Sequence, residues 1–349
     1  MKFGIFDQHD DSGRPLPDHY AQRLALAELY DELGFHIYHQ SEHHSTPLST
    51  TPSPSVFLAA VAQRTKRIRL GPLVYILPSY NPLRLIEEIC MLDGLSGGRF
   101  EIGIGRGASP HEVRFMGVEP ADALDSYKET FEIVMQGLMK GRLDHQGKKF
   151  SYDGVPVAMR PVQKPHPPIW YVAGSAESAI WPAREGYNVI ASGPLDRVKA
   201  VAAAYKDEYI RSGHTGAKPL IGLNRFVYVG ATDDEARAIA GRAWKVFVKS
   251  FWRLWRDFGG SPLTMNLPDS IEPVIAAGGA LVGSAETVRA RLAEQIAATG
   301  VTYFEGSFVF GDMTYDEAHA SIGSFAHEIM PALADADAQA WLLKDSLPA

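Results

Sequence analysis

The sequence predicts an α/β fold, a closed (β/α)8 barrel with insertions in a single domain over residues 1–349. Three observations predict it. Short apolar runs alternate with stretches of helical period, and the alternation counts to eight. Strands joined by helical crossovers form a parallel sheet whose faces the helices cover. No repeat, low-complexity tract or linker divides the 349 residues, a length that α/β barrels reach as one domain. Eight units of this kind suit a closed barrel better than an open sheet.

Residues 2–7, KFGIFD, form strand one. The run 16–34 carries Leu24, Leu26, Ala27 and Leu29 on its apolar positions, and Gly34 stops the helix. FHIYHQ, 35–40, is strand two. Helix two covers 53–65, with Ser53 or Ser55 as cap and Pro54 in the first turn. RIRLGPLVYIL, 67–77, is strand three; helix three starts at Pro82 and ends at Gly97 and Gly98. RFEIGIGRG, 99–107, is strand four, followed by an amphipathic helix near 122–140. The Gly-, Pro- and Lys-rich segment 142–168 reads as a surface excursion with a short hairpin. Strand five, 169–174, leads into a helix over 175–185. Strand six, 187–192, precedes a helix over 195–211; strand seven, 220–230, precedes a long helix over 232–258. Strand eight is 301–310, with a last helix over 314–332. Residues 259–283 lack sustained periodicity and are rich in Gly and Pro. A mobile lid and an ordered insertion are the two readings of such a loop.

Composition narrows the function. At 46% hydrophobic and 21% charged residues, this is ordinary globular material. A net charge of −7 argues against a nucleic-acid surface, which needs clustered Lys and Arg. No apolar run is long enough to span a membrane, and MKFGIFDQHD turns acidic too early for a secretory signal. The single cysteine, Cys90, excludes an internal disulfide and a thiolate metal cluster. Its helical, apolar context reads as a packed thiol, and a cytoplasmic location fits.

In such a barrel chemistry sits at the C-terminal ends of the strands. Asp7 follows strand one and Glu42, His43 and His44 follow strand two. Strand three delivers Tyr75, Pro78 and Asn81, strand four Arg106, Gly107 and Ala108, and strand five Gly174, Ser175 and Ser178. Neighbours on an extended chain point opposite ways, so His43 and His44 are poor joint metal ligands, and later strand ends add no further His or Asp; no metal is expected. His43 is either an acid–base group or a satisfied structural histidine. VAGSAES, 172–178, turns from strand into helix. It reads either as an anion site at a helix start, with Arg106 reaching across as a paired donor, or as an ordinary Ser175 cap. GIGRGA, 103–108, follows the fourth strand and has Ala108 where a dinucleotide fingerprint has its last glycine, so it is weak evidence for such a site. The aromatic run 244–258 is a helix packed on the barrel; Phe251, Trp252 and Trp255 are candidates to border a pocket.

SEHH, the run NPLRLIEEICMLDGLSGGRFEIGIGRG, and VGSAETVRARLAEQIAATGV resemble the bacterial luciferase-like monooxygenase family, from Met1 to about Leu333. The resemblance implies a TIM barrel that binds FMN as FMNH2, supplied by a separate NAD(P)H flavin reductase. It implies reaction with O2 to a flavin hydroperoxide that oxygenates a small organic substrate. His43 matches the family's active-site histidine, Arg106 an arginine on the FMN phosphate, and Gly174, Ser175 and Ser178 the phosphate loop. Leu73 and Val74 match the segment under the flavin ring, which in relatives contains a non-prolyl cis peptide. The expected cofactor contacts are Glu42, Leu73, Val74, Tyr75, Arg106, Gly107, Ala108, Gly174, Ser175, Ala176 and Ser178, with His43 catalytic. Relatives often carry an acid at the position of Gly174. The light-emitting subunit has a cysteine at that of Gly105, which speaks against light emission here. A homodimer is expected through helices two and three, where Ala59, Ala60 and Ala62 permit close packing. A deazaflavin-dependent oxidoreductase and a non-catalytic flavin-binding protein are the alternatives on the same fold.

Overall fold

A computed structural model describes residues 1–262, 267–337 and 341. The first half runs β1 (Lys2–Asp7), α1 (Leu16–Glu32), β2 (Ile37–Gln40), α2 (Pro54–Arg64), β3 (Arg69–Pro72), β4 (Tyr75–Ile76), α3 (Pro82–Leu95), β5 (Ile102–Gly105), α4 (Pro110–Phe115) and α5 (Ala123–Lys140). β6 (Arg142–Gln146) and β7 (Ser151–Pro156) form an antiparallel hairpin apart from the main sheet. The second half runs β8 (Ile169–Val172), α6 (Ile180–Glu185), β9 (Asn188–Ala191), α7 (Leu195–Arg211), β10 (Ile221–Val229), α8 (Asp233–Phe251) and α9 (Arg253–Phe258). It ends with α10 (Glu272–Ala276), β11 (Ala280–Gly283), α11 (Ala285–Thr299), β12 (Tyr303–Ser307) and α12 (Tyr315–Ser324).

All pairings in the main sheet are parallel, in the order β3-β2-β1-β12-β10-β9-β8-β5-β4. β3 and β4 are two halves of one passage interrupted at Leu73 and Val74, so the two ends of that order meet and the barrel closes. The peptide joining Leu73 to Val74 is cis, as the resemblance implied. β11 is a ninth strand: it pairs with residues 226–229 of β10, beyond the stretch 221–223 that pairs with β9.

Helices cover the ring through a large cluster that includes Leu26, Leu58, Leu85, Ile89, Val201, Trp244 and Leu292. A second, smaller cluster is built on Ile37, Leu73, Trp170, Ile190 and Tyr303. Polar groups beside it are paired. Glu305 accepts hydrogen bonds from Tyr303 Oη at 3.2 Å and Asn224 Nδ2 at 3.0 Å and meets His39 Nδ1, while Glu101 takes Arg69 and Trp170 Nε1.

Several boundaries differ from expectation. Strand three, expected over 67–77, breaks where the chain turns under the barrel mouth. The long helix expected over 232–258 bends at Trp252 into α8 and α9. The helix expected to 332 gives way after Ser324 to a π-turn over Phe325–Ile329. Residues 259–283, expected as an aperiodic loop, contain α10 and β11; residues 263–266 of the expected lid lie outside the described residues. The extra βα unit was hidden because β11 is only four residues long and sits between glycines. Ser53 occupies the cap position of α2 without a side-chain bond, and Ser55 bonds Tyr75 Oη instead, at 2.8 Å. Ala62 faces the core, whereas Ala59 and Ala60 are half-buried. Cys90 is buried, and burial pushes its thiol up to about 11, as a packed thiol requires.

Candidate active site at the strand C-termini

Four consecutive strands of the ring bring the candidate residues together. β2 pairs with β3, β4 with β5 and β5 with β8. Around the mouth the order is therefore His43 after β2, Leu73 and Val74 between β3 and β4, Arg106 after β5, and Gly174–Ser178 after β8. Two glycines of β5 allow this closeness. A Cβ on Gly103 would stand 2.0 Å from the Pro72 carbonyl oxygen, and one on Gly105 2.3 Å from Val74 Cγ2.

His43 and its neighbours alternate as an extended chain demands. Glu42 and His44 point to one side and pair with each other, His44 Nε2 to Glu42 Oε1 at 2.8 Å. Glu42 Oε2 accepts the Ile76 N–H at 3.1 Å and Tyr80 Oη at 2.9 Å. Burial raises this carboxyl above its ordinary value despite those donors. Glu42 thus pins the chain just past the cis peptide and does not face the open mouth. Tyr75 is also turned away, fully buried with its hydroxyl on α2. Asp7 is a buried structural acid, held by Arg23 at 3.1 Å and Tyr38 Oη at 3.0 Å.

His43 points the other way and keeps 18% of its side-chain surface. Its Nδ1–H donates to Glu112, 3.2 Å from Oε1 and 3.4 Å from Oε2. Burial alone would push the imidazole down; Glu112, with Glu42 and Asp10 behind it, raises it above the ordinary histidine value. No partner meets Nε2 among the described residues. Glu112 was not anticipated from the sequence. It lies on α4, whose start reads S-x-x-E, Ser109 to Glu112, and Ser109 Oγ accepts the Glu112 N–H at 3.5 Å. That spacing is a helix-start signal, and α4 follows directly on the strand that ends at Gly105.

Arg106 and Ala108 are exposed and Gly107 adopts a φ of 90°, so the chain turns sharply off β5. Arg106 has no ion-pair partner among the described residues. Its charge reaches Tyr171 on β8, opposing the rise that burial gives that phenol. The guanidinium therefore lies within electrostatic reach of that strand. In the loop after β8 Gly174 is exposed, and a Cβ added to it would meet nothing within 4 Å. Ser175 and Ser178 close on each other: Ser178 Oγ accepts the Ser175 N–H at 3.0 Å and Ser175 Oγ the Ser178 N–H at 3.3 Å. Ala176 is half-buried between them. Only a single 3-10 turn over Glu177–Ala179 and the short α6 follow, so the helix dipole is weaker than a long helix would supply. Glu177 is an acid the sequence reading left out. Its carboxylate is held low by its own N–H and the Ser175 hydroxyl.

An arginine without a counter-ion beside open space suits a phosphate, and Leu73, Val74 and the 43%-exposed Val172 suit a planar apolar ring. No group of His, Cys, Asp and Glu among the described residues could hold a metal ion. No helix among them is long and apolar enough to cross a membrane. Trp252 and Trp255, though not Phe251, line a groove of about 490 Å3 with Lys245, Lys249 and Arg256.

The luciferase-like monooxygenase family matches residues 1–303. An uncharacterised protein, y4wF, of Sinorhizobium fredii is 39% identical over 331 residues, 95% of this chain and 96% of its own. The oxygenase component of the flavin-dependent trigonelline monooxygenase of Acinetobacter baylyi is 28% identical, covering 90% of each chain. Among solved structures, the monooxygenase RslO1 of Streptomyces bottropensis superposes with a TM-score of 0.85 at 27% identity, covering 95% of this chain and 99% of that one. The oxygenating constituent of 3,6-diketocamphane monooxygenase of Pseudomonas putida, in complex with FMN, shares the fold with a TM-score of 0.79 at 23% identity, over 95% and 98%. A match over most of its length, on a barrel with the same outline, means that this chain belongs to the luciferase-like monooxygenase family.

Proposed function

We propose that this protein is a monooxygenase that uses reduced FMN and O2 to oxygenate a small organic substrate. The observation that carries the reading is the run of four adjacent strand ends offering, in order, an imidazole, an apolar break, an unpaired guanidinium and an open serine loop. Reduced FMN, when bound, supplies the electron pair for O2.

The chain's own groups would divide the remaining work. Arg106 would hold the phosphate by charge-assisted hydrogen bonds, and the hydroxyls of Ser175 and Ser178, now bonded within their own turn, would join it by turning outward. Leu73, Val74 and Val172 would support the ring and keep water from it. His43 donates a hydrogen bond from Nδ1–H to Glu112, which fixes the ring, and holds its Nε2 proton to higher pH than an ordinary imidazole because the carboxylates raise its affinity for protons. That proton is available for donation at the mouth. The name "oxygenase component" of the Acinetobacter relative supports an electron supply from a separate flavin reductase.

A homodimer through α2 and α3 is part of the proposal. Val56 is 73% exposed, Met91 52% and Leu95 45%, beside the half-buried Ala59 and Ala60. Light scattering should give twice the chain mass, and Met91→Glu should return it to one.

Flavin titration tests the cofactor reading. Arg106→Ala should weaken FMN at least tenfold and leave riboflavin, which lacks the phosphate, nearly unaffected; a hydrogen bond to a charged group is worth about 1.5–3 kcal/mol. Equal losses for the two ligands would remove Arg106 from the phosphate.

A further inference from the structure

Lys245, Val248, Lys249, Trp252, Trp255 and Arg256 follow one another at helical spacing, so one face runs from α8 through the bend at Trp252 into α9. Val248 is buried, the two indoles are half-buried and the three cations are exposed. The returning chain closes over this face. Trp244 Nε1 donates to the Pro268 carbonyl at 2.9 Å, and Trp252 Nε1 to the Leu267 carbonyl at 3.3 Å. Asp269 follows directly, and with Gly260 it completes a groove of about 490 Å3. Sites for small organic ligands occupy about 300–1,000 Å3.

The charge in the groove runs against that of the chain. The net charge is −7, yet here three cations face one acid, Asp269. Arg253, on the same stretch, is neutralised by Asp257. Lys245, Lys249 and Arg256 meet no carboxylate among the described residues. Arg256 is held instead by the Lys249 carbonyl, to which its Nη2–H donates. A helix C-terminus favours a nearby cation, which accounts for Lys249 and Arg256 one at a time. It does not account for Lys245, a turn earlier, or for two indoles set among the charges. Flat apolar walls between cations complement a flat ring that bears a carboxylate.

The groove borders the mouth of the barrel. Trp255 meets the His111 ring edge-on, with centroids 5.0 Å apart, and His111 Nε2–H donates to the Gly259 carbonyl at 3.0 Å. His111 precedes Glu112, the partner of His43, on α4. The Thr46 hydroxyl, three residues past His43, donates to the Ser250 carbonyl of α8 at 3.5 Å. We infer that this groove is a binding site for aromatic carboxylates, with the ring against Trp252 and Trp255 and the carboxylate among Lys245, Lys249 and Arg256. An acid held there rests against the helices that brace the loop of His43. The inference stands apart from the flavin chemistry.

The test is an NMR titration of the whole chain, without flavin, with 15N in the tryptophan indoles. Trp252→Phe and Trp255→Phe assign the two signals. Benzoate is expected to shift both saturably at millimolar concentration. Benzamide, of the same shape without the charge, should bind about tenfold more weakly. Cyclohexanecarboxylate, which keeps the charge and loses the flat ring, should also bind more weakly than benzoate. The double substitution Lys245→Gln, Lys249→Gln lies on exposed positions and should bring benzoate down to the level of benzamide. Equal affinities for benzoate and benzamide overturn the inference, as does a benzoate response that leaves both indoles unmoved. A benzoate affinity unchanged by the double substitution overturns it too. A hexaglutamate peptide that binds more tightly than benzoate would show that charge alone fills the groove, and would end the assignment to a ring-bearing acid.

Discussion

At His43 two effects oppose each other. Burial disfavours the imidazolium, while the Glu112 carboxylate at 3.2 Å favours it, and the carboxylates win, since the net shift is upward. The sign matters for rate. If turnover needs the Nε2 proton, activity is full below the raised His43 value and falls as pH rises through it. Glu112→Gln still offers Nδ1–H an acceptor but no charge. The alkaline limb should move to lower pH by roughly one unit, an opposite charge at this range being worth about 1–3 units, with the acid plateau kept. His43→Ala should retain flavin binding and lose about 10²–10⁴ in oxygenation rate, the usual worth of a positioned acid–base group. Stopped-flow product yields under both substitutions check these outcomes, and an unchanged yield in His43→Ala would end the assignment.

The elements around the mouth depend on closeness that only glycine permits. β5 lies against the broken passage β3–β4, and the space for a Cβ at Gly103 is taken by a backbone oxygen, Pro72 O at 2.0 Å. Backbone cannot swing aside as a side chain can. Gly103→Ala should cost about 1–3 kcal/mol or more, read as a fall in urea midpoint, and should weaken flavin binding by displacing Leu73 and Val74. A stability within about 0.5 kcal/mol of the parent would mean that the seam is looser than drawn. This is also where reading the sequence reached its limit. Strand order, the alternation of Glu42, His43 and His44, and the hairpin in 142–168 were legible because they follow from period and polarity. The turning-away of Tyr75 was not, because the break at Leu73 and Val74 reverses which side later residues face. Glu112 was missed for a different reason: a six-residue helix such as α4 offers too few positions for a period, although its S-x-x-E start was there to be read. Asp10 is buried and bonded to the distant loop after β12, which no local pattern encodes.

Across the whole molecule, the histidines decide how the fold answers to acid. Burial, with nearby cations adding, holds His9 down to about 3, His36 to about 3 and His19 to about 4. Each stays neutral in the fold over a range where the unfolded chain, with ordinary values of 6.5, takes up a proton. Stability from these three is therefore complete well above 6.5 and is lost as pH falls below it. Asp10 works in the opposite direction: between 3.8 and about 7 the fold keeps a proton that the unfolded chain releases. Glu42, also raised by burial, adds to that opposition in the lower part of the range. His43 limits the alkaline side, since its contribution is complete below 6.5 and disappears as pH rises through its raised value. Three imidazoles against Asp10 leave a net uptake of at most two protons on unfolding near pH 5, which Glu42 reduces further. The linkage slope is then at most about 2.7 kcal/mol per pH unit, a large share of a typical stability of about 5–15 kcal/mol. Urea midpoints should peak near neutrality and drop clearly between pH 6.5 and 5. Replacing His36 alone, by Gln, should flatten that drop by about a third of the gross histidine effect. Equal midpoints at pH 7 and pH 5 would mean that these three rings are hydrated in solution, and the loops that bury His9 and His19 beside Asp10 would then be open as well.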